Sequence, residues 1–371
     1  MALSEVQQFP TAGDAAIRAR IVRPRPRVSP SAALAKTARA HGLRLITPKA
    51  LTIARRRCGR GFAYYDADGV RLRDPVTVSR LARLAVPPAY VEVRYAEDAS
   101  AHLQAIGQDA AGRLQYRYHP AWEKVRELRK ARRLVRFAAV LPRIRRVVAQ
   151  HLAEDSLARE AVLAAVIERV ARSAIRPGSE DYARLNGTRG AATLLKSNLG
   201  IDGQTVTLTF RAKGGKVVRK EFTAPLLVPM LERLRGLPGR RLFQYRDAAG
   251  EVRLVTARAV NSFLREIAGG VTISLKDFRT LLASAAVLEA LARQVPAESA
   301  RQRRRQVLDA VRKAADNLAN TPAICRRSYV HAAVVAAFEE GVLEGFAETL
   351  KRSRSAARRE QLLTRIMAIV G

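Results

Sequence analysis

The hydrophobic period of this chain changes once, near Pro120, and that change decides the fold class. From Leu43 to about Arg117 the apolar residues fall in short strand-like runs. Phe62, Tyr64 and Tyr65 precede Asp66-Ala67-Asp68-Gly69, Val70-Arg71-Leu72 follows it, and Val91–Tyr95 comes after the turn at Pro87-Pro88. Asp-Gly between two such runs predicts a hairpin. From Pro120 onward the spacing is helical. Trp122, Val125, Leu128, Leu134 and Phe137 mark a first helix over Trp122–Val140, and Ile144–Ala174 reads as a second. One β interlude interrupts them: Thr205–Phe210 alternates, Gly214-Gly215 turns, and Val217–Phe222 returns. Helices resume at Ala224, the last over about Leu343–Val370. The expectation is an α+β chain, with a small N-terminal antiparallel β domain over residues 42–118 and a mainly α-helical domain over 119–371 containing a small β-hairpin. Residues 1–41 carry Arg23-Pro24-Arg25-Pro26-Arg27 and no period, and read as a flexible basic tail.

Charge narrows the partner. Sixty-seven Lys and Arg stand against 33 Asp and Glu, a formal net charge of +34, and 56 of the basic residues are arginine. A bias toward Arg and Ala codons accounts for part of that excess but not for the shortage of acids. A folded chain this basic repels itself unless it meets a polyanion, and the arginine fork matches phosphate oxygens in pairs. Nucleic acid is expected ahead of acidic lipid.

Other classes fall away. Two cysteines, Cys58 and Cys325, make neither a disulfide framework nor a zinc site by themselves. No apolar run approaches the ~18 residues of a membrane span. The N-terminus, with Glu5 and Asp14, carries no secretory leader, so a cytosolic protein is expected. Gly214-Gly215-Lys216 lacks the leading glycine and following hydroxyl of a nucleotide-binding P-loop. His41, His102, His119, His151 and His331 show no metal-ligand spacing, and Asp66-Ala67-Asp68-Gly69 lacks the later ligands of a calcium loop. No cluster of acids suggests two-metal phosphoryl chemistry.

What remains is phosphate chemistry without a metal. It needs cations for the non-bridging oxygens, a nucleophile, and an acid for the leaving oxygen. Four segments supply such groups. Ala174–Glu180 puts Arg176 where a helix becomes a loop, and Phe210–Lys216 puts Lys213 near a hairpin tip. Ser274–Thr280 puts Arg279 at the start of an apolar helix, and Asn317–His331 contains Asn320 and Tyr329. Singly, each has an ordinary reading: a plain phosphate contact, a turn residue before Thr321-Pro322, or a core tyrosine.

In this order the four segments resemble the type IB DNA topoisomerases, in the compact poxvirus-like form found in bacteria. Arg55-Arg56-Arg57-Cys58-Gly59-Arg60-Gly61-Phe62, Arg73-Asp74-Pro75, Ala85–Ala89 and Gly112–His119 share the resemblance, which runs from about Gly42 to the C-terminus. It implies the catalytic fold that these enzymes share with tyrosine recombinases. It implies that Tyr329 is the nucleophile, that Arg176 and Arg279 hold charge on the pentacoordinate transition state, and that Lys213 protonates the leaving 5′ oxygen. Asn320 stands where many relatives carry His, and its amide donates without titrating. Arg55, Arg57, Tyr116, Tyr182, Lys216 and Lys276 are expected on the DNA. The resemblance further implies supercoiled duplex DNA as partner, clamped between the two domains. It implies no cofactor, metal or membrane, a monomer, and a nucleoid-associated place in the cytoplasm. The chain departs from the pattern at Leu281-Leu282-Ala283-Ser284, where Trp and small residues are usual, and at Ala332 and Ala212 in place of Pro and Gly. None of these removes a reacting group. A tyrosine recombinase shares the same logic but usually has His two or three residues before the second arginine, where Lys276 and Asp277 stand here. A DNA-architectural protein would bind without forming a covalent adduct.

Overall fold

A computed structural model of the chain describes residues 30–154, 156–352 and 356–370. The chain divides into two compact units after Trp122. Most of the segment read as tail lies outside the described residues, but its last part does not. Helix α1 (Pro30–Arg39) forms there, with Ala38 fully buried, so the tail reading ends before Pro30.

The first unit is built on an antiparallel five-stranded sheet in the order β2-β1-β3-β4-β5. Its strands are β1 (Ile53–Cys58), β2 (Gly61–Tyr65), β3 (Val91–Tyr95), β4 (Leu103–Gln108) and β5 (Leu114–Tyr118). Helix α2 (Pro75–Arg83) packs Leu81 against Ile53, Tyr64, Val93 and Tyr95. The Asp-Gly turn forms as expected: Asp66 Oδ1 accepts from Asp68 N–H and Val70 N–H, and Gly69 sits at φ +81°. The hairpin predicted around it forms but stays short: Asp66 N–H donates to Val70 O at 3.0 Å and Leu72 N–H to Tyr64 O at 2.8 Å. Beyond the turn there is one bridge, Tyr65 to Arg71, and the partner of β2 is β1. The reason is local, since Asp74 caps α2 through Thr77 N–H at 2.8 Å with Pro75 at its first turn, which leaves no length for a longer return strand.

The second unit opens with α3 (Trp122–Ala153), 32 residues long. Two helices were expected, parting near Pro142. Proline inside a helix costs about 3 kcal/mol, but Leu134, Phe137, Leu141, Ile144, Val148 and Leu152 form one buried stripe across it. Burying that stripe outweighs the lost bond. Helix α4 (Arg159–Ser173) runs through the core, with every residue from Ala161 to Ile167 buried. After α5 (Glu180–Asn186), strands β6 (Leu199–Asp202), β7 (Thr205–Arg211) and β8 (Val217–Thr223) form a sheet in that order, one strand more than the expected pair. Next come α6 (Val228–Gly236), a small hairpin of β9 (Gln244–Arg246) and β10 (Val252–Leu254), and α7 (Ala257–Ile267). Helices α8 (Leu275–Leu291), α9 (Ala300–Asn317), α10 (Pro322–Ser328) and α11 (Ala332–Glu339) follow. The last helical stretch expected from the sequence holds α12 (Glu344–Arg352) and α13 (Ala356–Val370), with residues 353–355 between them outside the described residues. Phe278 of α8 meets Phe137 of α3 edge-on at 4.8 Å in this core. The architecture is α+β, as the two periods predict.

Candidate active site

Three chain breaks in the helical unit bring the candidate residues together. The first is the end of α4, where Ala174 takes a left-handed conformation (φ 54°) and turns the chain toward Arg176. The loop it starts is tied down by main chain: Ala191 N–H donates to Arg176 O at 2.7 Å and Ala192 N–H to Pro177 O at 2.8 Å. Gly190 makes this possible, because a Cβ there would lie 2.5 Å from Gly178 N and 2.7 Å from Arg176 O.

The second break is the start of α8. Ser274 and Asp277 form a reciprocal capping box. Arg133 of α3 grips both Asp277 oxygens at 2.7 Å and Ser274 Oγ at 2.8 Å. Arg279 follows within the first turns of α8. It is 1 % exposed; it donates to Ala174 O and, at 3.0 Å, to Leu318 O.

The third break is the end of α9. Ala319 N–H returns to Asp316 O and Asn320 N–H to Ala315 O, a Schellman closure with Ala319 left-handed at φ 49°. Such a helix end exposes unpaired carbonyls and the negative pole of its dipole. Here cations meet them in succession. Lys220 of β8 donates to Asn317 O at 2.6 Å, Arg279 to Leu318 O, and Arg176 to Ala319 O at 3.4 Å. Arg176 also donates to Asn320 Oδ1, which leaves Asn320 Nδ2 buried and without a partner.

Tyr329 closes α10 and is 9 % exposed. The Arg279 guanidinium carbon lies 4.9 Å from its ring centre, and Lys276 Nζ lies 5.4 Å from it. Burial by itself raises the phenol pKa. Arg279 opposes this most, then Lys276 and Arg176, and the balance leaves Tyr329 below the ordinary tyrosine value. Cys325, one turn earlier, is pushed the other way, to about 11, by burial. It remains a thiol at neutral pH, so the tyrosine is the group in this turn closer to ionisation. Ser284 Oγ donates to Tyr329 O at 3.1 Å and accepts from His331 N–H at 3.0 Å. His331 is the N-cap of α11, its Nδ1 accepting from Ala333 N–H.

Lys213 stands apart from these contacts. It is exposed at the tip of the β7–β8 hairpin, where Gly214 and Gly215 at φ 83° and 78° make the turn. Its Nζ lies 5.6 Å from the ring centre of Tyr182 on α5, itself exposed. Lys216 is exposed on the same tip. In the β unit, Tyr116 stacks on Tyr118 at 6.1 Å and Arg57 is exposed. Arg55 turns inward instead. Its donors reach Val86 O, Pro87 O and Tyr90 O, and its guanidinium covers Phe62 at 4.1 Å. Among the described residues no group of three or more His, Cys, Asp or Glu side chains is placed to hold a metal ion, and no helix is long and apolar enough to cross a membrane.

Residues 120–356 match the eukaryotic DNA topoisomerase I catalytic core, and residues 61–109 match the N-terminal domain of bacterial DNA topoisomerase IB. The chain belongs to the type IB DNA topoisomerases. A relative, DNA topoisomerase 1B of Acanthamoeba polyphaga mimivirus, is 28 % identical over 285 residues, spanning 75 % of this chain and 84 % of the viral one. As a type IB topoisomerase the protein is an isomerase acting on DNA. The core match contains all four segments that carry Arg176, Lys213, Arg279, Asn320 and Tyr329. The N-terminal match begins at Gly61 and ends at Asp109, so β1 and β5, with Arg55, Arg57 and Tyr116, lie outside it.

Three side chains of this site carry no mark in the sequence: Lys130, Lys220 and Ser284. Each acts on main-chain oxygens, and a carbonyl looks the same under every residue type.

Proposed function

We propose that this topoisomerase relaxes supercoiled duplex DNA by cutting and resealing one strand, with neither ATP nor a metal ion. Tyr329 Oη attacks the scissile phosphorus as the phenolate that its neighbouring cations favour, a P–O bond to the tyrosine forms, and the bond to the 5′ oxygen breaks. Lys213 gives its proton to that leaving oxygen. Arg176, Arg279 and the free Asn320 N–H donate to the non-bridging oxygens as negative charge builds there. One ester replaces another, so the phosphotyrosyl link conserves the energy of the broken strand, and the reverse attack reseals it after rotation.

The observation that carries this reading is the Tyr329 corner: a 9 % exposed phenol beneath two cations, its pKa lowered despite burial. Arg57, Tyr116, Tyr182 and Lys216 are proposed to grip the duplex, while Lys276 acts beside the phenol. Residues 42–118 are proposed as the gripping domain and 119–371 as the catalytic one, in a monomer working on the nucleoid. Supercoiled plasmid mixed with the protein and EDTA, without ATP, tests it. Relaxation and a detergent-resistant protein–DNA adduct are expected from the wild type and neither from Tyr329→Phe. A plasmid left supercoiled by both proteins sinks the reading.

A further inference from the structure

We propose that Lys130 is a positioning residue for the nucleophile, fixing the main chain on both sides of Tyr329 from helix α3. The inference rests on the reading of Tyr329 as nucleophile and adds a residue to it. Lys130 Nζ donates to Val330 O at 2.9 Å and to Arg327 O at 3.3 Å, one residue after Tyr329 and two before it. Glu127, one turn earlier on α3, lies 2.7 Å from the same nitrogen. An ammonium has three donors, and these are three acceptors.

The place explains the choice of side chain. Helix α10 ends at Ser328, and Arg327 O is one of the last carbonyls, which have no partner within the helix. A cation at that end is favoured by the dipole. The Lys130 side chain is 16 % exposed, so its charge is sheltered, and Glu127 supplies the counter-charge that makes this tolerable. From the opposite side Ser284 of α8 donates to Tyr329 O. The carbonyls of residues 327, 329 and 330 are thus fixed from two helices. The phenol can then swing only about its own side-chain bonds, which narrows its approach to a phosphorus. Among the described contacts Lys130 reaches the main chain around Tyr329 and not the phenol ring. Its effect on rate passes through Tyr329.

The test compares Lys130→Met, which keeps the stem and loses the charge, with Lys130→Arg, which keeps charge and donors. Two quantities are measured for each: the rate constant for adduct formation at saturating duplex, and duplex affinity in a Tyr329→Phe background. Lys130→Met is expected to slow adduct formation about 10²-fold, the cost of a nucleophile displaced by about 1 Å. Affinity should stay at the parent value, and Lys130→Arg should recover most of the rate. A Met variant that cleaves at the wild-type rate, or one whose loss lies entirely in affinity, overturns the proposal. If Lys130→Met fails to fold, Glu127→Gln decides. That variant is expected to slow cleavage about tenfold, as for one weakened charged hydrogen bond, and an unchanged rate overturns the proposal. Wild-type protein that forms no adduct fails the underlying reading instead, and the two failures are distinct.

Discussion

On the proposed mechanism, the corner around Tyr329 and the hairpin tip around Lys213 are two ways of presenting cations to a phosphate. In the corner, Arg279 is 1 % exposed and held by the carbonyls of Ala174 and Leu318, and the positions of Arg176 and Asn320 follow from the same helix end. At the tip, Lys213 is exposed on a Gly-Gly turn with one ring contact, to Tyr182. The first arrangement is organised before substrate arrives, and its side chains also hold the fold together. The second lends nothing to the fold and leaves a long side chain free to follow a leaving oxygen. The proposed catalytic duty and the structural one are therefore merged in one region and separate in the other.

Arg279→Ala is the strongest test of that contrast. It should slow cleavage by about 10²-fold or more, as for a lost oxyanion donor. It should also lower stability, since two buried carbonyls lose their donor at about 1–3 kcal/mol each. Lys213→Ala should slow cleavage by about 10²-fold as well, but with the melting curve unmoved. Its defect should vanish on a substrate whose leaving 5′ oxygen is replaced by sulfur, which departs without a proton. A Lys213 variant that melts early, or an Arg279 variant that does not, would erase the distinction between the regions.

Acid sharpens it further. Burial, with Lys130 nearby, holds His331 down to about 4 against an ordinary 6.5, so the folded chain binds fewer protons than the unfolded one between those values. The stability present above pH 6.5 should fall by about 3 kcal/mol in all as the pH drops through that window toward 4. His331→Asn keeps a capping acceptor for α11 and should flatten this dependence in urea titrations across the range. The smallest effect is expected from Arg169. It is fully buried, with no hydrogen-bond partner at any guanidinium nitrogen, and lies 4.9 Å over Phe243; burial pulls it down to about 9. Arg169→Met should leave cleavage unchanged and raise stability by about 1 kcal/mol, as replacing a poorly paired buried charge can do. Loss of cleavage in that variant would mean that a buried arginine outside the corner matters to the reaction.

The strand pair β7–β8 was legible because alternation and Gly-Gly state it locally. The two periods announced the two architectures for the same reason. Helix α3 was misread at Pro142 because a local rule yielded to a stripe buried along the whole helix. The hairpin at Asp66 was legible in its turn but not in its shortness, because Asp74-Pro75 starts α2 so soon after it. In the candidate site, the order of Arg176, Lys213, Arg279, Asn320 and Tyr329 was visible as a motif, whereas the separation of Lys213 from the others was not. Arg55 shows the limit plainly. In the sequence it is one of three adjacent arginines, and only the position of the Val86, Pro87 and Tyr90 carbonyls makes it a brace. Lys130 is illegible for the same reason.

The oxygens of Asn317, Leu318 and Ala319 already face Lys220, Arg279 and Arg176. A stray chloride or inorganic phosphate must compete with three main-chain dipoles fixed in place, and a single small anion brings little to that contest. A polymer whose neighbouring phosphates are gripped elsewhere arrives at an effective concentration that a free ion cannot match. On the proposed mechanism, that helix end is expected to discriminate by chain length as well as by charge.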